Sequence, residues 1–154
     1  MISKHISEKE ATKSVTALRL GLDNTPDGDT LYNMKIVAEK VFEPLREYVG
    51  GAIKINSFYR SSALNEAIGG STRSQHCKGQ AMDIDDIYGH KTNKEMFTWI
   101  KDNIDFDQMI WEFGNEDNPD WVHVSYVSED KNRNRILKAV RDEGKTKYID
   151  ITNV

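Results

Sequence analysis

The chain has 154 residues, of which 38% are apolar and 30% charged, with a formal net charge of −4. That is the make-up of an ordinary soluble domain, long enough to bury a core without covalent staples. No long basic block argues for nucleic acid as the main partner, the single cysteine Cys77 excludes an intrachain disulfide, and no run reaches the roughly 18 apolar residues of a membrane span.

The N-terminal "MISKHISEKEATKSV" carries charges throughout and lacks the apolar core of a secretory signal. The expectation is synthesis in the cytoplasm, with any target outside reached by release or carriage. "GLDNTPDGDT" (21–30) is turn-rich, and Thr30 stands to cap the helix that follows. Leu31, Met34, Val37, Val41, Leu45 and Val49 recur at three- and four-residue steps, a buried helical stripe that Pro44 should kink or interrupt and Gly50–Gly51 should end.

"AIKINSFYR" (52–60) alternates like a strand, and "SSALNEAIGG" (61–70) reads as a short helix stopped at Gly69. "QAMDIDDI" (80–87) alternates again. Thr92 and Glu95 have capping-box spacing at the start of a helix over 91–103. "DQMIWEF" (107–113) and "WVHVSYV" (121–127) are two more strands, joined by the polar loop "GNEDNPD". Ser128 is expected to cap a last helix through about residue 141, and "KYIDIT" (147–152) to add an edge strand. Strands and helices mix without regular alternation, so the fold class is α+β with a central, mostly antiparallel sheet and flanking helices.

Strand periodicity sorts side chains by face. Met82 and Ile84 point one way; Ala81, Asp83 and Asp85 point the other. Val122, Val124 and Tyr126 share one face, while Trp121, His123 and Ser125 share the opposite one. Asp83 and His123 therefore fall on polar faces that adjacent strands can merge. Gly79 lets the preceding loop turn tightly enough to fold His76 back over Asp83. His76, Asp83 and His123 make three candidate ligands for a tetrahedral Zn2+, with one position left open, the arrangement of a catalytic rather than a structural site. Zinc lowers the pKa of a bound water to about 7 and polarises a carbonyl oxygen, and a nearby carboxylate can move the proton. Glu112, at the end of a strand and on the face of Gln108 and Ile110, is the first choice for that base. Asp120, in a loop three residues before His123, is the other, and spacing does not decide between them. Asp85 and Asp86 read as solvent-facing or supporting groups, Cys77 as a small packed side chain, and Trp111 and Trp121 as core or cleft wall.

These residues carry a family resemblance. "SQHCKGQAMDI" resembles the S-x-H-x-x-G-x-A-x-D motif of the zinc D-alanyl-D-alanine carboxypeptidases and L-alanyl-D-glutamate peptidases of peptidoglycan, and "WVHVSY" resembles their downstream W-x-H element. "SFYRSSALNEAIGG" and "FDQMIWE" are similar to segments of the phage-type branch. The resemblance runs from about Ile53 to Tyr126. It implies the hedgehog/D,D-peptidase-like fold and a zinc peptidase acting on D-amino-acid-containing wall peptides, either as a D,D-carboxypeptidase or as an L-Ala-D-Glu endopeptidase. It matches the zinc ligands to His76, Asp83 and His123, and a substrate- and oxyanion-contacting arginine to Arg60. Ser74 matches a serine near the substrate, and Trp121 falls on the cleft side. Much of the wider family has its catalytic acid at the position of Asp120, and the phage-type branch at that of Glu112.

The resulting expectation is one zinc peptidase domain over 1–154, with an N-terminal helical part (about 1–50), a catalytic core (about 51–127) and a C-terminal helix and strand (about 128–154). The expected protein is a monomer with a peptidoglycan peptide as substrate and no nucleic-acid partner. Without a signal peptide it suits a phage or prophage lytic enzyme, acting on the wall after release or from a virion. A non-catalytic zinc-containing binding module, or a virion structural component of the same fold, is the alternative.

Overall fold

The structure, a computed structural model, describes residues 1–154. Two short helices, α1 (Glu8–Thr12) and α2 (Val15–Leu20), lead to α3 (Gly28–Val37). The cap of α3 is Asp27, whose side chain accepts from Thr30 N at 2.8 Å, so the helix starts three residues before the expected cap at Thr30. The earlier acid wins because its carboxylate reaches an otherwise free N–H of the first turn. A π turn over Ala38–Phe42 joins α3 to α4 (Glu43–Val49), in which Pro44 sits in the first turn. The interruption expected at Pro44 thus takes the form of a widened turn just before it. Proline has no N–H to donate and its ring crowds the carbonyl four residues back, and a widened turn relieves both. Gly50, at φ 75°, ends α4.

Strand β1 (Lys54–Ser57) is followed by α5 (Ser62–Ala67), a 3-10 turn over Gln75–Lys78, and β2 (Ala81–Asp85). Helix α6 (Asn93–Asn103) opens with the capping box of Thr92 and Glu95 in place. Strands β3 (Gln108–Glu112) and β4 (Trp121–Ser125) come next, then β5 (Arg135–Asp142) and β6 (Lys145–Asp150). The six strands form one sheet in the order β1-β2-β4-β3-β5-β6, antiparallel except for the parallel β3–β5 pair.

The C-terminal helix expected over 128–141 is not formed. Ser128 starts a single turn, with Lys131 N and Asn132 N both donating to its carbonyl, and Asn134 at φ 50° then breaks the helical path. Residues 135–142 instead fill the open edge of β3. The turn to β6 places Glu143 and Gly144 at φ 50° and 78°, the two left-handed positions of a tight hairpin. The edge strand expected over 147–152 is present as β6, two residues earlier.

The sheet has one dry face. Met82, Ile84, Met109, Trp111, Val122 and Val124 are buried there, in one cluster with Met34, Val37, Val41 and Leu45 of the α3–α4 helix and with Phe97 and Ile100 of α6. The opposite face carries a smaller apolar group, Ile110, Leu137 and Ala139, and is otherwise open to polar side chains. No helix is long and apolar enough to cross a membrane.

Gly79 ties the two layers together. It has φ 71°, and a Cβ there would lie 2.7 Å from both Met34 Cγ and the Thr30 carbonyl oxygen. Gly79→Ala therefore meets backbone strain and a clash against α3 at once. It should lower stability by about 2–3 kcal/mol, read as a fall in the urea midpoint at unchanged slope.

Candidate metal centre

Each side chain of the trio owes its position to local backbone. Asp83 and His123 face each other as a directly opposed pair on β2 and β4, and opposed residues on one sheet face bring their side chains together. His76 arrives from the 3-10 turn, which Ser74 caps by accepting from His76 N at 3.2 Å. The backbone of that turn is held in place by Arg60 N, which donates to the His76 carbonyl at 3.2 Å.

The donor atoms converge. His76 Nε2 lies 3.4 Å from Asp83 Oδ2, and His123 Nδ1 lies 3.0 Å from Asp83 Oδ1. One ligand atom from each of the three residues falls within 4.8 Å of the other two. A tetrahedral ion with bonds of about 2.0–2.1 Å holds its ligand atoms roughly 3.3 Å apart, so only small adjustments are needed. His76 is buried, and its Nδ1 donates to the Phe58 carbonyl at 2.7 Å, leaving Nε2 without its own proton and without a hydrogen-bond partner. A buried lone pair with no partner is costly, and a cation between the three residues would satisfy it. A carbonyl on the far nitrogen is also the usual support for a ligating imidazole. The donor set of two imidazoles and one carboxylate suits zinc.

Electrostatics agree with that reading. Burial holds the His76 imidazole below the usual histidine range, against the pull of Asp83, which keeps it in the neutral form a metal requires. Burial works against the Asp83 carboxylate, but the two histidines beside it prevail and hold its carboxyl well below the usual range.

The trio forms the floor of a cleft of about 660 Å³. Arg60, Ser74, Glu112 and Trp121 all line it. Glu112 is paired with Trp121 across β3–β4, two residues along from Ile110, which opposes His123. Glu112 is buried, and burial first, then the nearby Asp83 charge, push its carboxyl up to about 7, with His123 and Arg60 pulling the other way. The Nε of Arg60 is buried without a partner, and its Nη1 makes a long 3.4 Å bond to Asn65. Trp121 meets Phe113 edge to face at 5.5 Å.

Asp120 does not join these residues. It stands one position before β4, on the parity of Val122 rather than of His123, and is exposed outside the cleft lining. Its backbone is fixed instead: its N–H donates to the Glu112 carbonyl, and its own carbonyl accepts from Asn93 Nδ2. The same Asn93 amide holds Asp85 at 2.8 Å, and Asp86 accepts from the following turn, so both acids brace loops. Cys77 lies outside both the trio and the cleft. Trp111 belongs to the dry face.

Sequence reasoning missed the far wall of the cleft, lined by Arg133, Leu137 and Arg141 from the segment expected to be helical and by Thr146 and Tyr148 from the edge strand and the turn before it. The Glu143-Gly144 dipeptide between two alternating runs was the available hairpin signal.

An α+β sheet bearing an imidazole–carboxylate–imidazole trio, with a buried carboxyl beside it in one open cleft, is the frame of a metal-dependent hydrolase. The model of the Peptidase M15 family matches residues 4–125, most of the chain, and the protein belongs to that family. The match reaches back into the N-terminal helical part, well beyond the Ile53–Tyr126 span that carries the motifs. A search of curated proteins returns no match.

Two outcomes follow. Chelation should lower the melting temperature by about 5–15 °C, and stoichiometric zinc should restore it; Asp83→Asn should abolish both the response and the retention of zinc after dialysis. In metal-free protein, the raised Glu112 carboxyl binds more protons folded than unfolded between about pH 4.5 and 7. Its contribution to stability is therefore lost as pH rises through that window. Glu112→Gln should gain on wild type as pH rises, levelling off above pH 7 at about 2–3 kcal/mol, measured by urea titration across the pH range.

Proposed function

We propose that this protein is a single-domain zinc metallopeptidase that hydrolyses a peptide bond in peptidoglycan stem peptides. The observation that carries the reading is the unpartnered Nε2 of buried His76, aimed at Asp83 and His123 in the same cleft as the raised carboxyl of Glu112. Membership of the Peptidase M15 family supports peptide hydrolysis. The likeness of "SFYRSSALNEAIGG" and "FDQMIWE" to the phage-type branch supports a phage or prophage lytic enzyme, acting on D-Ala-D-Ala or on the L-Ala-D-Glu bond.

Zinc held by His76, Asp83 and His123 supplies an acidified water and a Lewis acid for the scissile carbonyl. Glu112 is the proton carrier. A carboxyl poised near pH 7 accepts a proton from water and returns it to the leaving amine at little cost. Glu112 would be drawn toward the ionised form, the one that accepts first, by positive charge held at the trio. Arg60 stands on the same cleft with a buried Nε free to donate, which suits a carbonyl oxygen gaining negative charge. Ser74 orients the His76 turn and offers its hydroxyl to the cleft. Trp121 supplies a flat wall for the peptide.

Mass spectrometry of digested muropeptides identifies the bond cut. Glu112→Ala should reduce kcat by about 10²–10⁴-fold with zinc content unchanged, whereas Asp120→Ala should keep activity within a few-fold. Full activity in Glu112→Ala, with collapse in Asp120→Ala, would transfer the proton role to the loop acid. A zinc-loaded wild type that binds wall fragments and cuts none would make the protein a binding module.

A further inference from the structure

The cleft is basic on a protein that is not. Arg60, Arg73, Arg133 and Arg141 line it against two carboxylates, Asp83 and Glu112, although the whole chain carries −4. A bound divalent cation tips the balance further. Clefts of one sign concentrate ligands of the other, so the cleft favours an anionic peptide.

The arginines are not equivalent. Arg133 is already paired: its Nε and Nη2 grip Asp107 at 3.0 and 2.8 Å. Gln75 also bonds Asp107, so this arginine braces the cleft wall rather than offering a free charge. Arg73 is exposed on a loop at the rim. Arg60 sits beside the trio. Arg141 differs from all three. It projects from β5, is exposed, makes no ion pair or side-chain hydrogen bond, and has its guanidinium over the Phe113 ring, 4.5 Å from the centroid. A cation stacked on an aromatic face keeps its in-plane N–H groups free for a carboxylate.

The register places Arg141 on a continuous surface. Glu112 of β3 opposes Ala139 of β5, which opposes Tyr148 of β6. Arg141 is two residues beyond Ala139 on the same face and opposes Thr146. Ala139 is fully buried between Glu112 and Tyr148, and these two line one cleft on this face with Arg141 and Thr146. All of these hairpin residues lie beyond the 4–125 span that the family model matches.

We propose that the β5–β6 hairpin is a specificity wall, in which Arg141, presented by Phe113 and flanked by Tyr148, binds a free carboxylate of the substrate away from the scissile bond. This rests on the peptidase reading above and adds to it a preference for peptides carrying that charge. The carboxylate contact is a binding contact, so its loss should appear in KM more than in kcat.

The test uses zinc-loaded full-length protein and two synthetic stem peptides, identical except that the acidic residue carries a free carboxylate in one and a carboxamide in the other. Wild type should prefer the acid by at least about tenfold in kcat/KM, as a charge-assisted pair predicts. Arg141→Gln should lose about 10- to 100-fold on the acid, mainly through KM, and change little on the amide. Arg141→Lys should recover part of the preference, and melting curves of both variants should match wild type. Equal losses on acid and amide, or a wild type indifferent to the charge while cutting both peptides, would overturn the specificity wall and leave the peptidase reading standing. A wild type that cuts neither would overturn both. If Arg141→Gln proves unstable, Arg141→Lys and a Phe113→Leu variant carry the same comparison, with the acid preference reduced in each.

Discussion

A carboxylate partly buried between two imidazoles is the constraint around which this protein is arranged. Asp83 loses solvation at the base of the cleft and keeps its charge because His76 and His123 stand 3.4 and 3.0 Å from its oxygens. Removing any one of the three leaves a buried polar group unpaired, which costs more than the pair itself contributes. The rest of the fold brings two distant stretches of chain, 76–83 and the strand of His123, to that point. Direct opposition on β2 and β4 delivers Asp83 and His123. The turn before β2 delivers His76, and that turn sits where it does because Gly79 lets it lie against α3.

The two faces of the sheet divide the work. One face is sealed by the α3–α4 helix and α6 and supplies most of the buried apolar surface. That leaves the other face free to carry charge, because stability does not depend on covering it. Glu112 shows the effect within a single strand. Trp111 packs into the dry layer, and its neighbour, turned the other way, is buried enough to hold a proton near neutral pH. A rigid strand is a better mount for such a group than a loop. The loop acid Asp120, by contrast, has its backbone tied down and its side chain in solvent.

Much of this was legible in the sequence where spacing has one physical meaning. Alternation in "AMDID" and "WVHVS" separates Met82, Ile84, Val122 and Val124 from Asp83 and His123, and a one-residue slip would have reversed both sets. Thr92 and Glu95 could cap only one helix start. The trio follows from those faces plus the glycine that returns the loop. The failures came where local signals compete. Asp27 and Thr30 are both acceptable caps, and only the chain's path selects the first. "RILKAVRD" contains apolar residues that satisfy either period, and the decision falls to the vacant edge of β3, a tertiary fact absent from the local pattern. With that segment read as helix, Arg141 could not be placed on the cleft, and the edge strand of Tyr148 had no β5 to bring it there.

His76 donates its Nδ1–H in a hydrogen bond to the Phe58 carbonyl, an acceptor with no proton of its own. With the other nitrogen turned toward Asp83, the ring is held in one tautomer. A ring fixed in one tautomer presents its Nε2 lone pair, not an N–H, to Asp83 and His123, so the trio is arranged before any cation arrives.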